Sequence, residues 1–372
     1  MIDPKIFYTV LQEAGVTLFA GVPDSLLKHF CAYVDDHGRQ GQHIITANEG
    51  NAVALGAGHH LTTGQIAAVY MQNSGLGNAI NPLTSLTDPQ VYKIPMLLII
   101  GWRGEPGVKD EPQHIKQGAI TQAQLDLLGI PYYIIQADTS SKEILKEAMH
   151  KLAVTGAPVA LLIRKGTFSS YKSQRKLKNP SSLKREDALR ELLKLAADSL
   201  VVSTTGKTSR EVHEIRDERG EAQQDFLTVG SMGHTSSIAL GAALGCPGKR
   251  VVCIDGDGSA LMHLGALPII GDIAPINLVH VLLNNAAHES VGGQPTVAGN
   301  LDFRAIALAF GYKSYLQASD EDGIREAWAQ LQGNNGPVFI ELKIATGSRG
   351  NLGRPASTPA ENKKAFMAAA AL

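Results

Sequence analysis

The segments RVVCIDGDGS (250–259) and NLVHVLLNN (277–285) decide the fold class of this chain. Each contains a continuous apolar run, which is typical of a strand buried on both faces of a parallel sheet. The interval between them has the length of a βαβ unit, whose right-handed crossover places two parallel strands side by side. Asp257 and Asn285 each follow the carboxyl end of one of these strands. The sequence therefore predicts that both residues lie in the crevice where open α/β sheets bind ligands.

Similar apolar runs alternate with helix-like stretches along the chain, which predicts two doubly wound α/β domains with parallel sheets. The predicted strands span 17–22, 43–47, 67–71, 96–101, 132–137, 158–163, 199–204, 225–230, 250–256, 277–285 and 336–343, and the predicted helices include 50–61 and 141–153. A polar, basic segment around Pro180 interrupts the alternation and predicts a linker. The predicted boundaries are a first domain at 1–168, a linker at 169–185 and a second domain with a C-terminal tail at 186–372.

The composition is that of an ordinary globular chain. Its 372 residues carry 34 basic and 35 acidic side chains, a net charge of −1 that favours neither a nucleic-acid nor a membrane partner. The three cysteines, Cys31, Cys246 and Cys253, fit no zinc spacing, which favours reduced thiols and a cytoplasmic location. The first residues lack a signal-peptide pattern, and the apolar runs are too short to span a bilayer.

The residue types at the predicted crevice suit a diphosphate and a divalent cation. The carboxylate of Asp257 and the amide oxygen of Asn285, together with phosphate oxygens and water, suit Mg2+. Gly256 and Gly258 would allow the backbone to approach a phosphate closely. A turn without a ligand is the simpler interpretation of the Gly-Asp-Gly triplet alone, and the spacing to Asn285 argues against it.

Two other phosphate-binding motifs fail at single positions. A dinucleotide-binding fingerprint would need glycine where Leu261 stands, which argues against a nicotinamide-dependent enzyme. A Walker A loop ending at Gly206-Lys207-Thr208 would need glycine where Val201 stands.

The quartet Gly256-Asp257-Gly258-Ser259, followed at this interval by Asn284-Asn285, resembles the signature of the enzymes that depend on thiamine diphosphate (thiamine pyrophosphate, TPP). The resemblance implies that Asp257, Asn285 and the backbone carbonyl of Ala287 bind Mg2+. It also implies that the residues lining the diphosphate are Gly206, Gly256, Gly258, Ser259 and Asn285.

Glu49 lies in ANEGNAVALGAG (47–58), between a predicted strand and a predicted helix, and matches the family's Glu-x-Asn-Ala pattern. The resemblance implies that this catalytic carboxylate contacts the aminopyrimidine of TPP and promotes loss of the C2 proton. Taken alone, the position fits equally well a glutamate that stabilises a helix N-terminus. Burial would raise its pKa and the helix N-terminus would lower it, and the sequence does not decide between them. Met232 matches an apolar residue that bends the cofactor in related decarboxylases, although core methionines are common.

Five blocks of sequence resemble the phosphonopyruvate decarboxylases: GVPDSLLK (21–28), DEPQHIKQG (110–118), TTGKTSRE (204–211), HESVGGQPT (288–296) and GNLGRPASTP (350–359). The resemblance implies conversion of 3-phosphonopyruvate to phosphonoacetaldehyde and CO2 in phosphonate biosynthesis. Two alternatives stay open, a sulfopyruvate decarboxylase and a regulatory subunit with the same fold that no longer catalyses.

Asp24 and His114 match acidic and histidine positions that handle protons in related decarboxylases, and we predict acid–base roles for both. A turn residue after Pro23 and a histidine in a surface loop are the simpler interpretations. His288 is a weaker candidate for the same role.

The substrate of such an enzyme carries a phosphonate and a carboxylate, so cations are expected near it. Lys207 and Arg210 are the first candidates, Arg349 and Arg354 are weaker ones, and ordinary surface cations are the simpler interpretation of each. The resemblance also implies a homodimer or higher homo-oligomer, in which Glu49 and the Gly-Asp-Gly loop at one cofactor come from different subunits.

Overall fold

The computed structural model describes residues 1–175, 179–331 and 336–371. The helices are α1 Pro4–Glu13, α2 Lys28–His37, α3 Glu49–Thr63, α4 Leu76–Pro82, α5 Pro112–Leu127, α6 Ser141–Thr155, α7 Arg185–Leu195, α8 Lys207–Glu218, α9 Thr235–Gly245, α10 Asp257–Met262, α11 Ala266–Ile273, α12 Phe303–Ala309, α13 Glu321–Ala329 and α14 Pro359–Ala371, with short helical turns at Asn73–Gly75, Leu83–Thr87, Glu289–Val291 and Val297–Asn300. The strands are β1 Val16–Gly21, β2 His43–Ile45, β3 Ile66–Gln72, β4 Met96–Gly101, β5 Tyr132–Ile135, β6 Val159–Ile163, β7 Leu200–Ser203, β8 Phe226–Leu227, β9 Val251–Gly256, β10 Leu278–Asn284, β11 Ala287–His288, β12 Gln294–Pro295, β13 Ser314–Ala318 and β14 Val338–Lys343.

The chain divides into two compact units. Unit 1 comprises Met1–Leu177 with Ser290–Gln294, and unit 2 comprises Lys178–Glu289 with Pro295–Leu372. The division along the chain falls within the segment for which a linker is predicted. On its N-terminal side, the hydroxyl of Tyr171 donates a hydrogen bond to Asp36, at 3.0 Å.

Unit 1 is built on a six-stranded sheet in the order β2-β1-β3-β4-β6-β5, and its neighbouring strands are parallel. Both faces of the sheet are covered. Along β4, Leu97 and Ile99 pack into a core on one face, and Leu98 and Ile100 pack into a core on the other. Burial on both faces explains why this strand is apolar at successive positions and was readable in the sequence.

Unit 2 is built on a second six-stranded parallel sheet, in the order β13-β14-β10-β9-β7-β8. Along β9, Val252 and Ile254 face one core, and Val251 and Cys253 face the other. When the sheet strands of each unit are numbered along the chain, both sheets have the order 2-1-3-4-6-5. The predicted fold class, two doubly wound parallel α/β domains, is confirmed.

The short strands β11 and β12 were not predicted, and the strands of the two six-stranded sheets differ clearly from the prediction in two places. Ser314–Ala318 (β13) was missed because it lies at a sheet edge, is mostly half-buried and has no continuous apolar run. The segment predicted at 225–230 is a strand only at Phe226–Leu227, after which the chain turns through Ser231 and Gly233, both with positive φ. Within the described residues, no helix is long and apolar enough to cross a membrane.

Candidate active site

Glu49 is the first residue of α3, and the local sequence fixes its position. Asn48 caps the helix, accepting a hydrogen bond from the backbone N–H of Gly50 at 2.8 Å. The Glu49 side chain turns into the protein, leaving the residue 5% exposed, and its Oε2 accepts a hydrogen bond from Nδ2 of Asn78 at 2.7 Å. A Cβ on Gly75 would collide with the Glu49 side chain, so a larger residue there would displace the carboxylate. Glu49 is therefore held against the segment that follows β3.

The pKa of Glu49 is raised above its ordinary value. Burial is the largest influence and raises it, whereas the hydrogen bonds from Asn78 and from the backbone lower it. The opposing effects that the sequence left undecided are thus resolved in favour of burial. A carboxyl group with a raised pKa can exchange a proton closer to neutral pH than an ordinary glutamate can.

Asp24 follows β1 and is fully buried at the same sheet edge. One carboxylate oxygen accepts a hydrogen bond from the backbone N–H of Leu26 at 2.9 Å, and the other accepts from Nε2 of Gln72 at 2.9 Å. A Cβ on Gly101 would collide with Asp24, so the end of β4 is shaped to receive this side chain. Asp24 is therefore both a turn residue and a buried polar group at the carboxyl edge of the sheet in unit 1.

His114 lies in the first turn of α5 with its side chain only 12% exposed, so it is not a histidine of a surface loop. Its Nδ1 is 3.0 Å from Oδ1 of Asp110. Asp110 also accepts hydrogen bonds from Nε of Arg103 at 2.8 Å and from the backbone of Gly104 and Glu111. Although burial acts to raise it, the hydrogen bonds from Arg103 and His114 hold the pKa of Asp110 far below its usual range.

Arg103 connects these two candidates for acid–base chemistry. It follows β4, and its Nη1 donates to Oγ of Ser25 at 2.7 Å, next to Asp24 in the chain. Burial is the largest influence on the pKa of Arg103 and lowers it, but Asp110 and then the charge of Asp24 raise it, and the pKa is raised overall. Unit 1 therefore links His114 to Arg103 through Asp110, and Arg103 in turn bonds Ser25 beside Asp24.

In unit 2, Asp257 meets the loop that follows β10. Strands β9 and β10 are parallel neighbours with Gly256 opposite Leu283, so Asp257 and Asn285 both emerge at one sheet edge. The carboxylate of Asp257 accepts hydrogen bonds from Oγ1 of Thr296 and from the backbone N–H of Gly258, both at 2.8 Å. Asp257 and Asn285 therefore lie at the same sheet edge, as the sequence predicts.

The backbone of Ala287 lies between the two expected metal ligands. Its N–H donates to Oδ1 of Asn285 at 3.0 Å and is also within hydrogen-bonding reach of the Asp257 carboxylate. Burial raises the pKa of Asp257 to about 6, against the lowering effect of hydrogen bonds from Thr296, Gly258, Ala286 and Ala287. These donors are neutral, and a buried carboxylate is stabilised far more by a cation. The donor set, a carboxylate and an amide oxygen beside a backbone carbonyl, fits Mg2+.

The residues expected to line the diphosphate lie around the same loop. Oγ of Ser259 accepts a hydrogen bond from the backbone N–H of Gly233 at 3.1 Å, which joins the Gly-Asp-Gly loop to the loop that carries Met232. A Cβ on Gly258 would lie 3.2 Å from the ring of His288 and 3.5 Å from Cε of Met232. Burial lowers the pKa of His288 to about 4, so its imidazole is neutral at neutral pH.

Gly206 and the candidate cations lie at the start of α8. Gly206 precedes the helix with a φ of +88°, a conformation that favours glycine. Lys207 follows, and its Nζ is 2.8 Å from Oε1 of Glu289. Arg210 lies on the same helix, one turn later. Arg349 is paired with Glu186 and Glu214, which ties it to the surface of α7 and α8.

Several polar residues of the two clusters were missed in the sequence, namely Gln72, Asn78, Arg103, Asp110, Glu289 and Thr296. Gln72 ends β3 and Arg103 follows β4, so the rule that identified Asp257 could have identified them as well. Asn78 and Thr296 had no such signal, because only the folded chain brings them to Glu49 and Asp257.

Comparison with known proteins gives consistent matches in both units. A family model described as "Thiamine pyrophosphate enzyme, N-terminal TPP binding domain" matches residues 4–126, and one described as "Thiamine pyrophosphate enzyme, C-terminal TPP binding domain" matches residues 204–342. A phosphonopyruvate decarboxylase of Streptomyces viridochromogenes is 38% identical over 96% of this chain and 92% of its own length.

Two further relatives match over similar lengths. A phosphonopyruvate decarboxylase of Streptomyces hygroscopicus is 37% identical over 98% of this chain and 93% of its own length. A sulfopyruvate decarboxylase of Methanosarcina acetivorans is 30% identical over 96% of this chain and 95% of its own length.

Proposed function

Since this chain belongs to the thiamine pyrophosphate enzyme family, we propose that it decarboxylates 3-phosphonopyruvate to phosphonoacetaldehyde with TPP and Mg2+. The observation that carries the proposal is the convergence of Asp257 with the Asn285–Ala287 loop at one sheet edge. The choice of substrate is supported by the higher identity to two phosphonopyruvate decarboxylases than to the full-length sulfopyruvate decarboxylase. Such a reaction would belong to phosphonate biosynthesis.

When bound, TPP supplies a thiazolium that accepts the electrons released with CO2. We assign the binding of Mg2+ to the Asp257 carboxylate, Oδ1 of Asn285 and the carbonyl of Ala287. Gly206, Gly256, Gly258 and Ser259 would line the diphosphate, and Met232 would contact the organic part of the cofactor. Glu49 would hold a proton next to the aminopyrimidine, because its raised pKa allows the carboxyl form to persist closer to neutral pH.

Asp24 and His114 are assigned to proton transfer at the substrate. Asp110 is ionised and can only accept hydrogen bonds, so Nδ1 of His114 must carry the proton that they share. In the neutral ring Nε2 is then free of a proton and can accept one, or donate it after protonation. Arg103 and Asp110 thereby fix which ring nitrogen is available for chemistry.

Lys207 and Arg210 are proposed to bind the acidic groups of the substrate. Because Nζ of Lys207 is paired with Glu289, the lysine would have to share or exchange this partner when a phosphonate binds. Lys207→Ala should raise KM more than it weakens TPP binding. Unchanged kinetics would remove Lys207 from the substrate site.

We propose a homodimer as the smallest active unit, with Glu49 and Asp257 of one site contributed by different subunits, as the family resemblance implies. Co-expression of Glu49→Gln and Asp257→Asn chains tests this arrangement. A mixed dimer would then have one site with both substitutions and one with neither, so activity should return. Absence of activity in a purified mixed dimer would contradict shared sites. A cytoplasmic location is also proposed, and the three free cysteines support it.

Product analysis tests the proposed reaction. The purified chain should release phosphonoacetaldehyde and CO2 from phosphonopyruvate only when TPP and Mg2+ are present. Sulfopyruvate, assayed in parallel, should be turned over more slowly, and the reverse ranking would favour the sulfopyruvate alternative. TPP binding without turnover of either acid would favour a regulatory subunit, although Glu49, Asp257 and Asn285 argue against it.

A further inference from the structure

Glu289 follows the metal-binding loop closely and has no role in the reaction described so far. Its Oε2 accepts a hydrogen bond from Nδ2 of Asn285 at 3.1 Å and another from the backbone N–H of Gly347 at 3.1 Å. Its Oε1 accepts from Nζ of Lys207 at 2.8 Å, and Nη1 of Arg185 lies 3.3 Å from Oε2. We propose that Glu289 is a positioning residue that orients the Asn285 amide so that Oδ1, and not Nδ2, faces the divalent cation.

The proposal follows from the two ends of the Asn285 side chain. An amide presents an acceptor oxygen and a donor NH2 group of nearly equal shape, and only the oxygen can bind a cation. An ionised carboxylate can only accept hydrogen bonds, so it selects the NH2 end. With Nδ2 turned to Glu289, Oδ1 points to the Ala287 N–H, which is also within reach of the Asp257 carboxylate.

Cationic side chains face both oxygens of the Glu289 carboxylate. Nζ of Lys207 lies 2.8 Å from Oε1, and Nη1 of Arg185 lies 3.3 Å from Oε2. The side chain is 13% exposed. Arg185 is itself held in place, because its Nε and Nη2 donate to Glu211 at 2.6 and 2.8 Å. Glu289 is therefore supported by a chain of ion pairs within unit 2.

A merely structural role for Glu289, as the counter-charge of Arg185 and Lys207, makes a different prediction from an orienting role. If Glu289 acts only through its charge, its removal weakens cation binding whatever side chain stands at position 285. If it orients an amide, its removal should matter only while position 285 is an amide. An Asn285→Asp substitution supplies oxygens at both ends of the side chain and makes orientation irrelevant.

The test measures Mn2+ binding to the full-length apoprotein in the presence of TPP, by calorimetry and by electron paramagnetic resonance. Glu289→Ala removes both acceptor oxygens. Nδ2 of Asn285 then loses the carboxylate that selects it, so the amide can turn either end towards the cation. Mn2+ affinity should fall by about tenfold to a hundredfold, the range for residues that support metal ligands. Glu214→Ala removes a carboxylate that pairs with Arg349 instead, and it is the matched control that should leave Mn2+ affinity unchanged.

The Asn285→Asp chain provides the decisive background. There, adding Glu289→Ala should cost no affinity, or should restore some by removing a repulsive carboxylate. An equal loss in both backgrounds would overturn the orienting role, as would Mn2+ affinity in Glu289→Ala equal to that of the unaltered chain. The inference rests on the proposed role of Asn285, which is tested separately. If the unaltered chain shows no TPP-dependent Mn2+ binding, the proposed metal site itself fails.

Discussion

The two units have the same strand order but present different chemistry at the ligand edge of the sheet. In each, the fourth strand along the chain is followed by a polar residue, Arg103 after β4 and Asn285 after β10. Each of these residues is bound by a carboxylate a few positions later, Asp110 in unit 1 and Glu289 in unit 2. Unit 1 gathers groups that can exchange protons, whereas unit 2 gathers oxygen atoms that can bind a cation.

The carboxylates at the two edges are of two kinds, which differ in their partners and in the direction of their pKa shifts. Asp110 and Glu289 have arginine or lysine partners, and their pKa values are held below the ordinary range despite burial. Glu49 and Asp257 receive hydrogen bonds from amide, hydroxyl and backbone groups, and burial raises their pKa values. Carboxylates of the first kind serve as anchors. Those of the second kind remain available for a proton or a metal ion, because no cation satisfies them within these contacts.

The largest effect is expected from substitution of Glu49, which should impair catalysis at the edge of unit 1. Glu49→Gln should lower kcat by about a hundredfold to ten-thousandfold, the range for a general acid–base group, while leaving TPP and Mn2+ affinity intact. Steady-state kinetics and calorimetry check both parts. Glu143→Gln, an exposed glutamate in the first turn of α6, is the matched control for a glutamate at a helix N-terminus. Equal losses in the two variants would remove the catalytic role of Glu49.

Asp257→Asn should have the complementary result. Losing the carboxylate that we propose to bind the metal ion should weaken Mn2+ and TPP binding by at least about a hundredfold, the upper range for residues that only support a ligand. Calorimetric titration of the apoprotein measures this, with Asp320→Asn, at the exposed N-cap of α13, as the control. Unchanged Mn2+ affinity in Asp257→Asn would contradict the proposal that the edge of unit 2 binds a cation through this carboxylate.

A smaller effect is expected from the glycine that contacts Glu49. Gly75→Ala places a Cβ against the carboxylate and should cost about 1–3 kcal/mol of stability through overpacking, with reduced kcat from a displaced Glu49. Gly77→Ala is the matched control, since a Cβ there meets no neighbour within 4 Å. Urea unfolding and kinetics of both variants check the prediction, and equal stability of the two would contradict it.

The smallest expected effect is a pH dependence of stability at Glu49. Its pKa is raised from the ordinary value of 4.5, so the native state binds the proton more tightly than the unfolded state does. The stabilisation from this group is therefore complete below the unfolded pKa and is lost as pH rises through the folded pKa. Glu49→Gln should raise Tm at pH 8, and the gain should disappear near pH 4. A gain that is larger in acid than in base would show that the pKa of Glu49 is lowered instead.

The sequence by itself determined most strands of the two sheets and which polar residues emerge at one edge of the second sheet. Buried parallel strands must be apolar on both faces, so Met96–Gly101 and Val251–Gly256 were visible as continuous runs. Because carboxyl ends of parallel strands share an edge, the sequence alone predicts that Asp257 and Asn285 lie at the same edge. The half-exposed edge strand Ser314–Ala318 had no such signal.

Only the tertiary structure decided the protonation and orientation of the polar groups. The direction of the pKa shift of Glu49 depends on how deeply its carboxylate is buried against Gly75 and Asn78, which are distant in the chain. The contacts of Glu289 with Arg185 and Lys207 likewise join residues about a hundred positions apart. Desolvation and charge pairing act through space over a few ångströms, so they follow from packing and not from spacing along the chain.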